Sequence, residues 1–139
     1  IESLEDARNV KIFNNTFYNL SGLNTGIRFM QDATGCEVYN NLWASCVTNQ
    51  IMLTGDHGYN AFHDNWREGE YLLDDRIEEP HVQVLTANPF IDARNDDFRL
   101  ASPTETGREL DPVFAIDPLG NTRGADGVWD RGAFEFVGN

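Results

Sequence analysis

Residues 63–81, HDNWREGEYLLDDRIEEPH, carry seven carboxylates: Asp64, Glu68, Glu70, Asp74, Asp75, Glu78 and Glu79. His63, Arg67 and His81 flank them. Carboxylates so close together suit two kinds of chemistry. They can surround calcium, a hard cation that takes several oxygen ligands, with Asp74 and Asp75 as the candidate pair. Alternatively, one protonated and one ionised carboxyl can act as acid and base in glycoside cleavage. Glu68, Glu70, Asp74, Asp75, Glu78 and Glu79 are the candidate binding residues of this stretch, with Asp74 and Asp75 also candidate catalytic residues. The competing reading is a solvated acidic loop that binds nothing. Asp126 and Asp130 form a second acidic pair, but their spacing matches no calcium loop, and a structural role is expected for them.

These groups sit in a chain of 139 residues with 23 acids, 10 bases and a net charge of −13. Such a field repels nucleic acid and anionic membrane surfaces, because both need clustered cations. It also repels acidic polysaccharides unless a divalent cation bridges the like charges. No cofactor is required by any motif; calcium is the one ion the carboxylates suggest. No apolar run approaches the ~20 residues needed to span a bilayer. The acidic, lysine-poor surface suits an extracellular or cell-surface setting. Cys36 and Cys46 are the only cysteines. They can be read as a disulfide or as two buried thiols, the latter fitting a pair without histidine partners at zinc spacing.

The elements that must position these groups are announced by a repeat. NNTFYN at 14–19 and NNLWAS at 40–45 share a frame, and YNAFHD at 59–64 is a weaker copy. Alignment on Asn15, Asn41 and Asn60 brings Phe17, Trp43 and Phe62 into register. Val10 and Ile12 then match Cys36 and Val38 in the alternation of a half-buried strand. GIRFM at 26–30 and QIMLT at 50–54 form another matching pair, in which Ile27 and Phe29 align with Ile51 and Leu53. A unit of two or three short strands cannot bury its own face and must stack on its neighbours. The expectation is a β-solenoid whose equivalent side chains lie one above another at about 4.8 Å. Asparagine serves such corners by tolerating the left-handed backbone conformation, and its amides can hydrogen-bond along the column. His57 aligns with Ile12 and Val38 and is expected to face inward. Lys11, Glu37 and Asp56 share an outward column; Arg28, Met30, Met52 and Thr54 face outward on another.

The Asn–x–aromatic frame resembles the right-handed parallel β-helix family of pectate-lyase-like proteins. The tail resembles it more specifically. ANPFIDARNDDFRLASPT (87–104) is similar to the family's closing segment, and DPLGNTRGADGVWDRGAFEF (117–136) to its terminal D-x-x-G-x-x-R … D-x-G-A-x-E-F signature. The stretch after Pro103, TETGRELDPVF, departs from the family pattern. The resemblance implies an all-β, right-handed parallel β-helix of about three rungs over residues 1–86. The last rung and a C-terminal cap follow over 87–139, in one continuous domain at the C-terminal end of a longer protein. In that cap Val128, Trp129, Phe134 and Phe136 are expected to plug the end of the stack. Asp117, Arg123, Asp130, Arg131 and Glu135 are expected to pair within it.

Family habit further implies a secreted or surface protein associated with polysaccharide, such as a fragment of a polysaccharide lyase or glycoside hydrolase. Relatives that cleave acidic polysaccharides by β-elimination use calcium-binding carboxylates with an Arg or Lys base. Arg28 is the one base at an outward strand position that fits that role. The alternative is a non-catalytic structural, adhesive or self-assembling module, which the absence of a convergent acid–base–nucleophile set favours. Nothing in residues 1–9 resembles a capping helix, so upstream chain or a partner is expected to cover the first rung.

Overall fold

The computed structural model describes residues 2–3, 7–21, 27–29, 33–46, 51–52, 56–65 and 79–138. Within them the chain is all-β: twelve short strands, most of them in parallel sheets, and two three-residue 3-10 turns. Three strands recur in order. β1 (Glu2–Ser3), β4 (Ile27–Phe29) and β7 (Ile51–Met52) form one sheet, and β2 (Lys11–Phe13), β5 (Glu37–Tyr39) and β8 (Asp56–Gly58) a second. The third runs β10 (Gln83–Val84), β9 (Ala61–His63), β6 (Leu42–Ala44) and β3 (Thr16–Tyr18). Each of the first three tiers of the sequence therefore adds one strand to each sheet, and β10 adds a fourth to the third sheet.

The pairing register follows the sequence alignment. Ile12 lies beside Val38 and Val38 beside His57. Phe17 lies beside Trp43 and Trp43 beside Phe62, and Ile27 beside Ile51. Parallel neighbours in register put like side chains on like. The Phe17 and Trp43 rings accordingly stack at 4.8 Å between centroids and Trp43 and Phe62 at 5.4 Å. Ile12, Ile27, Cys36, Val38, Trp43, Cys46 and Phe62 form the interior cluster. Both thiols are free and buried, each directed at main-chain carbonyls, Cys36 at Ala7 and Cys46 at Ala44 and Phe17.

The corners divide two tasks that the sequence reading had given to one asparagine. Asn14, Asn40 and Tyr59 take the left-handed conformation at the corner between the second and third sheets. The residues after them, Asn15, Asn41 and Asn60, form the ladder. Asn15 donates from its main-chain N–H and Nδ2 to Asn41 Oδ1, each at 3.0 Å. Asn41 does the same to Asn60 Oδ1, at 2.9 and 3.0 Å. The Nδ2 groups also satisfy carbonyls of their own and neighbouring strands. Asn41 and Asn60 are fully buried, and saturation of the amide makes that burial tolerable.

The tail differs from the expected end plug. β11 (Phe90–Asp92) and β12 (Asp97–Leu100) make a bulged antiparallel hairpin. It covers the outer face of the third sheet, where Phe90, Ala93 and Leu100 cluster with Leu42, Ala44 and Ala61. All of β6 is consequently buried. The segment after Val128 runs along the flank of the stack, across the asparagine corner. Trp129 Nε1 donates to Asn14 Oδ1, Ala133 N to Thr16 Oγ1 and Gly132 N to the Asn40 carbonyl. Arg131 donates to the carbonyls of His81, Asn60 and Thr106. Gly132 has φ 108°, and a Cβ there would stand 3.0 Å from Thr16 Oγ1 and 3.2 Å from Leu42 Cβ. Apolar residues on both faces of the third sheet explain this position. A sheet with a second apolar face must cover it, and the tail is the covering layer.

Candidate functional site

Where the hairpin meets the third sheet it leaves a cleft of about 450 Å³, lined by Tyr18, Ser45, His63, Asp64, Asp92 and Arg94, among others. The stack supplies one wall. Tyr18, Ala44 and His63 occupy equivalent positions at the ends of β3, β6 and β9. Asn19, Ser45 and Asp64 follow them, all with positive φ, at the corner where the chain leaves the sheet. Three tiers thus present their corner residues in a row. The tail supplies the other wall. Tyr18 packs edge-on against Phe90 and obliquely against Phe98, which fixes the hairpin over the sheet. The 3-10 turn Ala93–Asn95 then holds Arg94 at the rim.

His63 Nδ1 lies 2.9 Å from the Leu85 carbonyl. A carbonyl only accepts, so Nδ1 carries the proton and Nε2 of the neutral ring is left as an acceptor. Lys11, Arg99, Arg108, Arg123 and Arg131 each lie within 4.0 Å of a carboxylate, whereas Arg8 and Arg94 have no such partner among the described residues, and only Arg94 lines the cleft. The cleft therefore gathers a free guanidinium, an imidazole acceptor, two carboxylates, a hydroxyl and an aromatic ring. Mixed donors and acceptors beside an aromatic face are what a polar, hydroxyl-rich ligand requires.

Of the residues singled out from the sequence as candidate catalytic or binding groups, Arg28 and Glu79 are among those described. Glu68, Glu70, Asp74, Asp75 and Glu78 fall outside the described residues. Arg28 is placed on β4 beside Met52 and Glu2 by its main chain. Glu79 is described, and it faces inward. It is 8% exposed; Oε1 accepts from the Asn60 N–H at 3.3 Å and from Nδ2 at 2.8 Å. Oε2 lies 2.7 Å from His57 Nδ1, and His57 is turned inward as its alignment indicated. Glu79 is the fourth member of the ladder. Among the described residues no group of three or more His, Cys, Asp or Glu side chains is arranged around a metal position. No helix there is long and apolar enough to cross a membrane.

The charged residues of the terminal segment are committed to structure. Asp130 accepts from Thr104 N and Oγ1 and from Phe136 N. Glu135 accepts from the N–H groups of Gly124 and Asp130 and pairs with Arg123. Asp117 accepts from Leu119, Asn121 and Glu135. Burial raises the Glu135 carboxyl. Burial also pushes Asp117 up, but its hydrogen bonds outweigh that and hold it below the ordinary range. Asp126 accepts from its own neighbour, Val128 N. Tyr39, beneath the Arg108 guanidinium at 4.3 Å, is raised by burial and by Asp56.

His63, Asp92 and Arg94 were missed as a site. The 26 and 19 spacing that aligned the asparagines also aligns Tyr18 with Ala44 and His63, so one wall was within reach. The other wall depends on the tail folding back, which no local pattern announces. A scan against protein-family models found no matching family, and searches of the curated proteins and of the solved structures found no match.

Proposed function

We propose that this chain is a carbohydrate-associated, secreted or surface protein built on a right-handed parallel β-helix of the pectate-lyase-like kind. Its ligand cleft is the one between the tier ends and the tail hairpin. The observation that carries the reading is the pairing of His63, its tautomer set by the Leu85 carbonyl, with the unpaired Arg94 across one polar cleft. A sugar offers hydroxyls that donate to Nε2 and accept from a guanidinium, and a ring face for Tyr18. The strands in matching register and the laddered corner asparagines support the β-helix reading. Polysaccharide is the partner class, and calcium bridging by the acidic stretch belongs to the same reading.

Catalysis and simple binding make different demands on this cleft. The test is titration of the protein with a panel of neutral and acidic oligosaccharides, with and without calcium, followed by calorimetry. Parallel incubations record ultraviolet absorbance of the unsaturated product of β-elimination and reducing ends from hydrolysis. Binding weakened about tenfold or more by His63→Ala and Arg94→Gln supports the cleft. Binding unchanged by both, or no binding across the panel, contradicts it. A second reading, a structural or self-assembling module, is favoured by one observation: among the described residues nothing continues the ladder beyond Asn15, which is exposed while Asn41 and Asn60 are fully buried.

A further inference from the structure

The asparagine column has two unlike ends. At one, Glu79 closes it: Oε1 is taken by Asn60 and Oε2 by His57. At the other, Asn15 donates onward to Asn41 through both its N–H and its Nδ2. Each later member also receives this pair of donors at its side-chain oxygen; among the described residues nothing delivers them to Asn15 Oδ1. Among the described residues, main-chain donors at the same end are also left without an acceptor. β1, β2 and β3 are the edge strands of their sheets on that side. Glu37 N donates to the Val10 carbonyl and Leu42 N to that of Asn15, and Asp56 and Ala61 repeat the pattern one tier on. Lys11 and Thr16 hold the corresponding places in the first tier. Phe17, outermost of the stacked rings, is only partly buried, whereas Trp43 and Phe62 are fully so.

From this we infer that the Lys11–Tyr18 edge is a docking surface for one more polypeptide tier. The occupant is a strand–corner–strand segment with a side-chain amide over Asn15, an aromatic ring over Phe17 and an acid over Lys11. Chemistry selects each part. Asn15 Oδ1 needs an N–H donor; Phe17 needs a ring to match the 4.8 Å stack on its other side. The Lys11 ammonium, whose side chain is 49% exposed, favours a carboxylate beside it, as Glu37 already provides at 3.3 Å on the next strand. A second copy stacked end-on does not meet these needs, because its closing residue would be Glu79, a carboxylate with no donor. This inference rests on the stacked-tier reading given above and adds the identity of the partner.

The probe is a synthetic peptide of residues 34–46 of this chain, which carries Glu37, Asn41 and Trp43 at the required spacing. It is titrated into the 139-residue protein, with residue-resolved hydrogen exchange as the readout. The expected result is saturable binding with slowed exchange at the Lys11 and Thr16 amides. The peptide with Asn41→Asp, which exchanges the donor for a charged acceptor, is expected to bind at least about tenfold more weakly. No protection at Lys11 and Thr16, or equal affinity for the two peptides, overturns the proposal. Exchange at Glu37 and Leu42 in the protein alone separates the two levels. If those amides are unprotected without peptide, the stacked tiers themselves are wrong and the proposal falls with them.

Discussion

The Glu79 carboxylate stands to Asn60 as the Asn60 amide stands to Asn41. Oε1 receives the Asn60 N–H and Nδ2 as Asn60 Oδ1 receives those of Asn41. A carboxylate accepts but cannot donate, so it ends the ladder, and His57 takes its second oxygen. Replacing Glu79 by Ala strands buried donors on Asn60 and is expected to cost about 2–4 kcal/mol. Glu79→Gln keeps an acceptor for Asn60 and is expected to cost less than half as much. Urea denaturation of the two variants measures the difference.

Within the ladder, Asn41 has both faces occupied and is fully buried. Asn95, in the exposed hairpin turn, makes one bond to Asp92 at 2.7 Å. Asn41→Ala is expected to lose about 2–4 kcal/mol, and Asn95→Ala under about 0.5 kcal/mol. Equal melting temperatures for the two variants would count against the ladder.

The flank contact concentrates at Gly132. Its φ of 108° is strained for any side chain, and a Cβ would crowd Thr16 and Leu42. Gly132→Ala is expected to destabilise by about 1–3 kcal/mol and to loosen the tail first. Limited proteolysis between residues 103 and 128 should speed up before the core strands lose protection. If cleavage is unchanged, the tail is not held at this point.

Stability in acid should follow Asp117. Its hydrogen bonds hold its folded value below the ordinary 3.8. Its contribution is therefore complete above that unfolded value and is lost as pH falls through the folded one. Glu135, raised by burial above its ordinary 4.5, works in the opposite sense: its favourable share is present at lower pH and fades as pH rises past that value. Asp117→Asn is expected to lower stability at pH 7 by about 1–3 kcal/mol and to flatten the fall below pH 4. Denaturation midpoints across that range check the sign.

The columns of Phe17, Trp43 and Phe62 were legible because parallel stacking repeats a side chain in place, and a repeat in space is a repeat in sequence. His57 was legible for the same reason. The αL residues were displaced by one position, because two adjacent asparagines look alike until their backbone angles are known. Glu79 was read with an acidic run, since its partners Asn60 and His57 lie 19 and 22 residues away and its own position breaks the Asn–x–aromatic frame. The tail's course along the flank was not legible. Outer-face residues such as Leu42, Ala44 and Ala61 are short or ordinary apolar residues, and nothing local says what covers them. The cleft inherits this: His63 belongs to a readable column, Arg94 to an unreadable one.

The most direct test of the stacked columns is a map of through-space proton contacts in solution by nuclear magnetic resonance. The account predicts cross-peaks linking the rings of Phe17 to Trp43 and Trp43 to Phe62, and the side-chain amide protons of Asn15 to Asn41 and Asn41 to Asn60. It also predicts none between first and third tiers. Absence of the neighbouring contacts, or direct contact between Phe17 and Phe62, would contradict it.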